Sequence, residues 1–220
     1  MTARRPVARI NRPLRGEVEE VRRSRRLRIG LLGGSFNPAH EGHRAISVEA
    51  LKRLRLDRVW WLVSPQNPLK PAQGMAGFAE RYASGRAMAR HPKIVVSDLE
   101  QRLGTRYSID VLRRLQQSCR ERFIWMMGAD ILLELPRWRS WREFLGRVPV
   151  AVFDREPYAY RALAGRVARA YAGRRRAERD ATVLAEAGPP AWAYLRLRRQ
   201  RVSSTGIRQE LAEGQPGAGQ

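Results

Sequence analysis

Cysteine, lysine and histidine are nearly missing from this chain of 220 residues, which has one, three and three of them respectively. With Cys119 alone, no intrachain disulfide can form and nothing calls for an oxidising compartment. Long apolar runs are missing too. None approaches the roughly 20 residues a membrane-spanning helix needs. The arginine-rich start lacks the apolar core of about 7 to 15 residues that marks a secretory signal. A soluble, cytoplasmic protein with no membrane partner is the simplest expectation. The shortage of lysine bears on the charge. Of 43 basic residues all but Lys52, Lys70 and Lys93 are arginine, against 21 acidic residues, for a net charge of +22. Such an excess invites phosphate-rich partners. Spread over every segment, it reads instead as an arginine-rich composition, so nucleic acid is not the expected partner on charge alone.

What is present is alternation. Residues 1–26 carry nine arginines, three glutamates and almost no bulky apolar side chains. They cannot bury enough surface to offset the entropy of ordering, and a disordered basic extension is expected. From Leu27 short apolar runs alternate with helical spacing. The runs are Leu27 to Leu32, VWWLV (59–63), KIVVSD (93–98), FIWMMG (123–128) and VPVAVFD (148–154). Between them, Ala45, Ile46, Val48, Leu51 and Leu54 mark one helix, the stretch up to Arg90 another, and Ile109, Val111, Leu112 and Leu115 a third. Continuous apolar strands alternating with helices mean a sheet covered on both faces, hence a parallel α/β sheet. Residues 158–187 read as one or two surface helices and AWAYLRL (191–197) as a last strand. SSTGIRQELAEG reads as a closing capped helix. One domain over 27–212 and a flexible tail over 213–220 complete the expected organisation.

The stretch GLLGGSFNPAHEGH (30–43) follows the first strand, where a parallel sheet binds ligands. Gly33 and Gly34 allow a tight turn and a close approach, and the positive end of the next helix favours an anion. This is neither a dinucleotide fingerprint nor a P-loop. His40 and His43, three residues apart at a helix start, can point the same way along the crevice. Zinc would want a third ligand, and His91 lies in the surface segment RHPK, so no metal site is expected. Two donors beside a helix N-terminus suit stabilisation of charge on phosphoryl oxygens. Near the other end, Ser203, Ser204 and Thr205 open a helix and Arg208 adds a planar donor fork, although a plain capped helix would look the same.

GGSFNPAHEGH resembles the GGxFxPxHxGH signature of the nucleotidyltransferase superfamily. VSSTGIR (202–208) resembles that superfamily's SSTxIR element, in the right order about 160 residues further on. FIWMMGADILLELPRWRSWREF (123–144) is similar to the G-x-D and P-x-W pattern of the bacterial nicotinate-nucleotide adenylyltransferases. LGTRYSIDVLRRL (103–115) and the proline-rich SPQNPLKP (64–71) also resemble segments of that family.

The resemblance covers about residues 27–212. It implies a Rossmann-like three-layer α/β/α nucleotidyltransferase fold with a mainly parallel sheet. It also implies transfer of the adenylyl group of ATP to nicotinate mononucleotide, with pyrophosphate released, in NAD synthesis. By position it makes His40, His43 and Arg208 catalytic. ATP would be met by Gly33, Gly34, Ser35, Phe36, Gly128 and Asp130, and by Ser204, Thr205 and Ile207. The mononucleotide would be met by Lys70, Ser108, Trp138 and Arg139. Mg²⁺ would arrive with ATP, held mainly by its phosphates and not by a protein metal site.

The alternative for Trp138 is core packing or an exposed anchor, and for Asp130 a helix cap. Leu69 stands where many relatives have histidine, and the basic extension has no counterpart in the family pattern. A homo-oligomer is compatible with all of this. Another adenylyltransferase of the superfamily, such as a pantetheine-phosphate adenylyltransferase, is the first alternative. A nucleic-acid-binding protein on the same scaffold is the second.

Overall fold

The computed structural model describes residues 26–69 and 73–197. The extension before them, Lys70, the SSTGIR segment with Ser204, Thr205, Ile207 and Arg208, and the tail lie outside the described residues.

Seven strands of the described residues form one sheet: β1 (Arg28–Gly34), β2 (Arg58–Val63), β3 (Ile94–Ser97), β4 (Arg122–Gly128), β5 (Val150–Phe153), β6 (Arg175–Arg176) and β7 (Trp192–Leu195). Their order is β3-β2-β1-β4-β5-β7-β6 and every pairing is parallel. Each long strand is apolar because each is buried on both sides. In β1, Ile29 and Leu31 face one side with Trp60, Leu62, Trp125 and Val152, while Leu32 faces the other with Trp61, Ile124, Met126 and Phe153. The period of two thus divides one sheet between two hydrophobic cores.

Among the described residues eight α-helices cover it: α1 (Glu41–Arg53), α2 (Phe78–Met88), α3 (Leu99–Arg102), α4 (Ser108–Ser118), α5 (Ala129–Glu134), α6 (Trp141–Arg147), α7 (Ala159–Leu163) and α8 (Arg166–Ala170). Helix α4 buries Ile109, Val111, Leu112 and Leu115 against the first core, as their spacing predicts, beside α5 to α8. Helices α1 and α2 lie on the second. The layers are therefore helix, sheet, helix.

Two expectations are corrected. The buried face of α1 is Ser47, Ala50 and the capping Leu54, with Ile46, Val48 and Leu51 only partly covered. Ser47 is inside because its hydroxyl accepts from Trp61 Nε1 (2.7 Å) and donates to the His43 carbonyl (2.8 Å). The span 158–187 is not one or two surface helices but α7, α8, two 3₁₀ segments and the strand β6. Two residues of arginine carry no apolar period, and pairing with β7 alone defines them as a strand.

Strand β1 lies between β2 and β4, so chain connections leave it in both directions and a crevice opens at the carboxyl ends of β1 and β4. The two stretches that point to chemistry, 33–43 and 128–139, begin at those two strand ends. No helix among the described residues is long and apolar enough to cross a membrane.

Candidate active site

A cleft of about 1510 Å³ opens there. That exceeds the range of roughly 300 to 1,000 Å³ usual for one small ligand and suits two substrates held together. Every nominated residue within the described part lines it: Gly33, Gly34, Ser35, Phe36, His40 and His43 on the β1 side, and Ser108, Gly128, Asp130, Trp138 and Arg139 on the β4 side. Lys70 lies outside the described residues, between Leu69 and Gln73, which both line the cleft.

The glycine pair does not make the turn. Gly33 and Gly34 are the last residues of β1, in register with Leu62 and Val63. A Cβ on Gly33 would stand 2.9 Å from Trp125 Cζ2, so the close approach that requires glycine there is to an indole ring. The turn falls at Phe36, whose φ of +49° is rare for a residue with a side chain. Phe36 lines the cleft while its ring packs inward. The ring is 1% exposed, stacked on Trp61 at 5.1 Å and tilted against His43 at 4.7 Å, so it supports the histidine from beneath.

His40 is the N-cap of α1 and His43 its third residue. The Gly42 N–H donates to His40 Nδ1 (3.1 Å), and the His40 N–H donates to His43 Nδ1 (3.2 Å), a reciprocal capping box built from imidazoles. The helix N–H groups expected to be free are in part used here. Because each Nδ1 accepts, each proton resides on Nε2, and both rings become Nε2–H donors. The ring centroids are 3.9 Å apart. Burial, aided by the positive charge of Arg155, lowers the His40 pKa to about 4, so at pH 7 the ring is neutral and the pair does not carry two adjacent positive charges. His91 belongs elsewhere. It precedes β3 at the opposite end of the sheet and accepts from the Lys93 N–H (3.1 Å).

Asp130 opens α5 but makes no cap; its Oδ2 accepts from Arg155 Nη1 at 2.7 Å. Its Oδ1 and the Ser35 hydroxyl are buried without a hydrogen-bond partner among the described residues. Arg44 Nε, on another cleft residue, and Trp60 Nε1 in the core share that state; buried polar atoms are normally satisfied, so the three on cleft residues are candidates for a ligand to complete. Trp138 ends the 3₁₀ turn Leu135–Arg137 and is edge-on to Trp125 (6.3 Å) and Phe144 (5.4 Å), with its ring only partly covered. Packing and ligand stacking are thus compatible, since the edge contacts fix the ring and leave a face. Ser108 is the first residue of α4. The Arg139 guanidinium lies 4.8 Å over the Tyr107 ring and 3.8 Å from Asp110.

Arg155 and Glu100 are among the cleft residues that the sequence reading did not nominate. Arg155 follows β5, the strand beside β4, and a rule that the ends of neighbouring parallel strands build the site would have found it. Glu100 on α3 is 3% exposed and lines the cleft. Burial pushes its pKa up to about 7 against the opposing pull of its hydrogen bond with Ser64. Nothing in DLEQR marks that glutamate as an interior one.

A neutral imidazole pair at a helix start, facing an aromatic ring across a two-substrate cleft, is the arrangement of a nucleotidyl transferase. The chain belongs to the cytidylyltransferase-like family, whose pattern matches residues 31–210. Relatives place it more narrowly. The nicotinate-nucleotide adenylyltransferase of Bradyrhizobium sp. (strain ORS 278) is 52% identical over 183 residues, covering 83% of this chain and 95% of the relative. That of Parvibaculum lavamentivorans is 48% identical over 184 residues, covering 83% and 92%. Within the family the chain is thus one of the nicotinate-nucleotide adenylyltransferases. Among solved structures, Plasmodium falciparum nicotinic acid mononucleotide adenylyltransferase complexed with NaAD is similar in fold, with a TM-score of 0.62 at 14% identity over 83% of each chain. The same protein complexed with APC gives 0.60 at 13% identity, again over 83% of each.

Proposed function

We propose that this protein joins ATP and nicotinate mononucleotide to give nicotinate adenine dinucleotide and pyrophosphate, in the synthesis of NAD. The observation that carries the reading is the pair of Nε2–H donors fixed at the β1 end of a cleft whose β4 side presents Trp138. An oxygen of the mononucleotide phosphate attacks the α-phosphorus of ATP in line, a new P–O bond forms, and the bond to the β-phosphate oxygen breaks with its electron pair leaving on pyrophosphate. No covalent intermediate on the protein is needed. Positioning and charge stabilisation then supply the catalysis.

In this reading His40 and His43 donate to the α- and β-phosphate region, and the Ser35 hydroxyl and β1 backbone seat the phosphates. Asp130 Oδ1 takes a donor of adenosine. Trp138 stacks on the pyridine ring, and Ser108 with Arg139 borders its carboxylate. Ser204, Thr205 and Arg208 hold the departing pyrophosphate, Ile207 borders the nucleotide and Lys70 meets an anionic group. These last five residues rest on the sequence alone.

Mg²⁺ fits this set as a companion of ATP. Among the described residues no three His, Cys, Asp or Glu side chains gather, so its ligands would be phosphate oxygens and water. When bound it would neutralise charge on the triphosphate. We also assign the enzyme to the cytoplasm, where ATP is abundant.

Pyrophosphate release from ATP, measured with nicotinate mononucleotide, its amide and phosphopantetheine in turn, tests the reading. Fastest release with a pyridine mononucleotide is expected, and preference for phosphopantetheine would overturn it. The ratio of acid to amide decides the pyridine specificity.

A further inference from the structure

Helix α2 contributes nothing to the chemistry described so far, yet it holds a nearly fully buried arginine. Arg81 is 2% exposed. Its hydrogen bonds go to carbonyl oxygens and not to carboxylates: Nε donates to Ala76 (2.9 Å), Nη1 to Ser35 (2.7 Å) and Ser64 (2.8 Å), and Nη2 to Pro65 (2.8 Å). These carbonyls belong to three separate segments: the turn after β1, the loop after β2, and the entry to α2 itself. One helical turn further on, the Ser84 hydroxyl accepts from the Ala39 N–H (3.1 Å). Ala39 is the residue before His40.

The turn from Ser35 to Ala39 is thus held at both ends by one face of α2. Its middle is held as well. Asn37 donates through Nδ2 to the Gly74 carbonyl (3.1 Å) and accepts at Oδ1 from the Ala76 N–H (3.3 Å). Such anchoring has a reason in the backbone, because Phe36 adopts a φ of +49° that surrounding structure must impose. His40 and His43 inherit their place from that turn, since His40 is the first residue after it and His43 is hydrogen-bonded to His40.

We propose that Arg81 and Ser84 are positioning residues, an i, i+3 bracket that sets where the two histidine donors stand relative to the phosphates. Neither touches the reacting atoms. Arginine is required at 81 because only a planar fork reaches carbonyls lying in different directions around it; a lysine ammonium presents its donors from one point at the end of a flexible stem. Burial of this cation without a carboxylate, which pulls its pKa below the usual arginine value, is the cost the fold carries for the clamp.

The inference rests on the adenylyl-transfer reading for its kinetic half. Donors that act on charge developing in the transition state lose effect when displaced by a fraction of an ångström to an ångström. Arg81→Ala and Arg81→Lys should each lower kcat by about 10²-fold, with the KM for the mononucleotide within about threefold, measured where circular dichroism shows the protein folded. Millimolar guanidinium should restore at least about tenfold of the Arg81→Ala loss and have no such effect on the parent. The second readout does not need the reaction: the ring protons of His40, followed by NMR, should titrate above the parent value of about 4 in both variants. A folded Arg81→Ala protein with kcat within about threefold of the parent and an unmoved His40 titration overturns the bracket.

If Arg81→Ala does not fold, Ser84→Ala decides. It should lower kcat by roughly 3- to 10-fold and raise the His40 titration while the melting temperature stays within a few degrees. An unchanged rate and titration in Ser84→Ala overturns the proposal. Should the parent fail to transfer an adenylyl group to any acceptor, the functional reading fails, and the His40 titrations still judge the bracket.

Discussion

The two walls of the cleft are built to different standards of rigidity. On the β1 wall each histidine Nδ1 is committed to a backbone N–H, the carbonyl of His43 accepts from Ser47, and Phe36 and Trp61 floor the rings. On the β4 wall Trp138 is held by edge contacts, Arg139 is more than half exposed above Tyr107, and Asp130 keeps one oxygen without a partner. Under the proposed mechanism the difference follows from what each wall would do. Donors that stabilise developing charge must already be in place when it develops, because reorganising them would cost the energy they supply. A wall that recognises a planar ring and a nucleoside works by stacking and by completing open hydrogen bonds, and tolerates some freedom.

The sharpest way to break that comparison is His43→Ala. Loss of one transition-state donor should lower turnover by roughly 10²-fold or more, and near-parental turnover in purified, folded protein would remove the β1 wall from catalysis. Trp138→Ala attacks the other wall and should behave differently. A stacking contact is worth about 1 to 3 kcal/mol, so the KM for nicotinate mononucleotide should rise roughly tenfold or more with kcat within about threefold. A defect confined to kcat would show that the β4 wall is as preorganised as its opposite.

Glu100, in the cleft lining, sharpens the comparison through stability. Its carboxyl titrates near 7 in the fold against an ordinary 4.5, because burial disfavours the anion. A raised acid pKa means that the folded state holds its proton where the unfolded chain has lost it. The stability this contributes is full below about pH 4.5 and is lost as pH rises through about 7. Glu100→Gln should therefore gain on the parent between pH 5 and pH 8, by up to about 3 kcal/mol in chemical denaturation. A gap that does not change with pH would show that the side chain is hydrated in solution.

The smallest effect concerns the one charge reaching from the far wall to the near one. Arg155→Met should raise the His40 titration by less than about one unit, because burial and not Arg155 is the larger cause of its depression. A rise to near 6.5 would mean that the two walls are coupled electrostatically more than by packing.

Much of this was legible beforehand, for identifiable reasons. Strands such as VWWLV and FIWMMG announce themselves because both faces of a central parallel strand are covered, leaving no polar residue to interrupt the run. His40 and His43 were legible because three residues at a helix start put them together whatever the rest of the chain does. Gly33 was noticed but misread: its neighbour Trp125 is 92 positions away, so the sequence offers a glycine and no hint that an indole requires it. Ser47 was passed over because a polar residue at a core position looks like a break in the pattern until Trp61 and the His43 carbonyl stand beside it.

Local order alone therefore determined the strand and helix alternation, the parallel class of the sheet, the capping pair of histidines and the P-x-W turn, since each depends on residues within a few positions of one another. Tertiary structure alone decided which aspartate oxygen stays open, that Arg155 and Glu100 line the cleft, and that Arg81 and Ser84 hold the turn before the histidines. Those properties come from partners 16 to 46 residues apart for Arg81 and Ser84 and 25 apart for Asp130 and Arg155, and from burial, which no single segment contains.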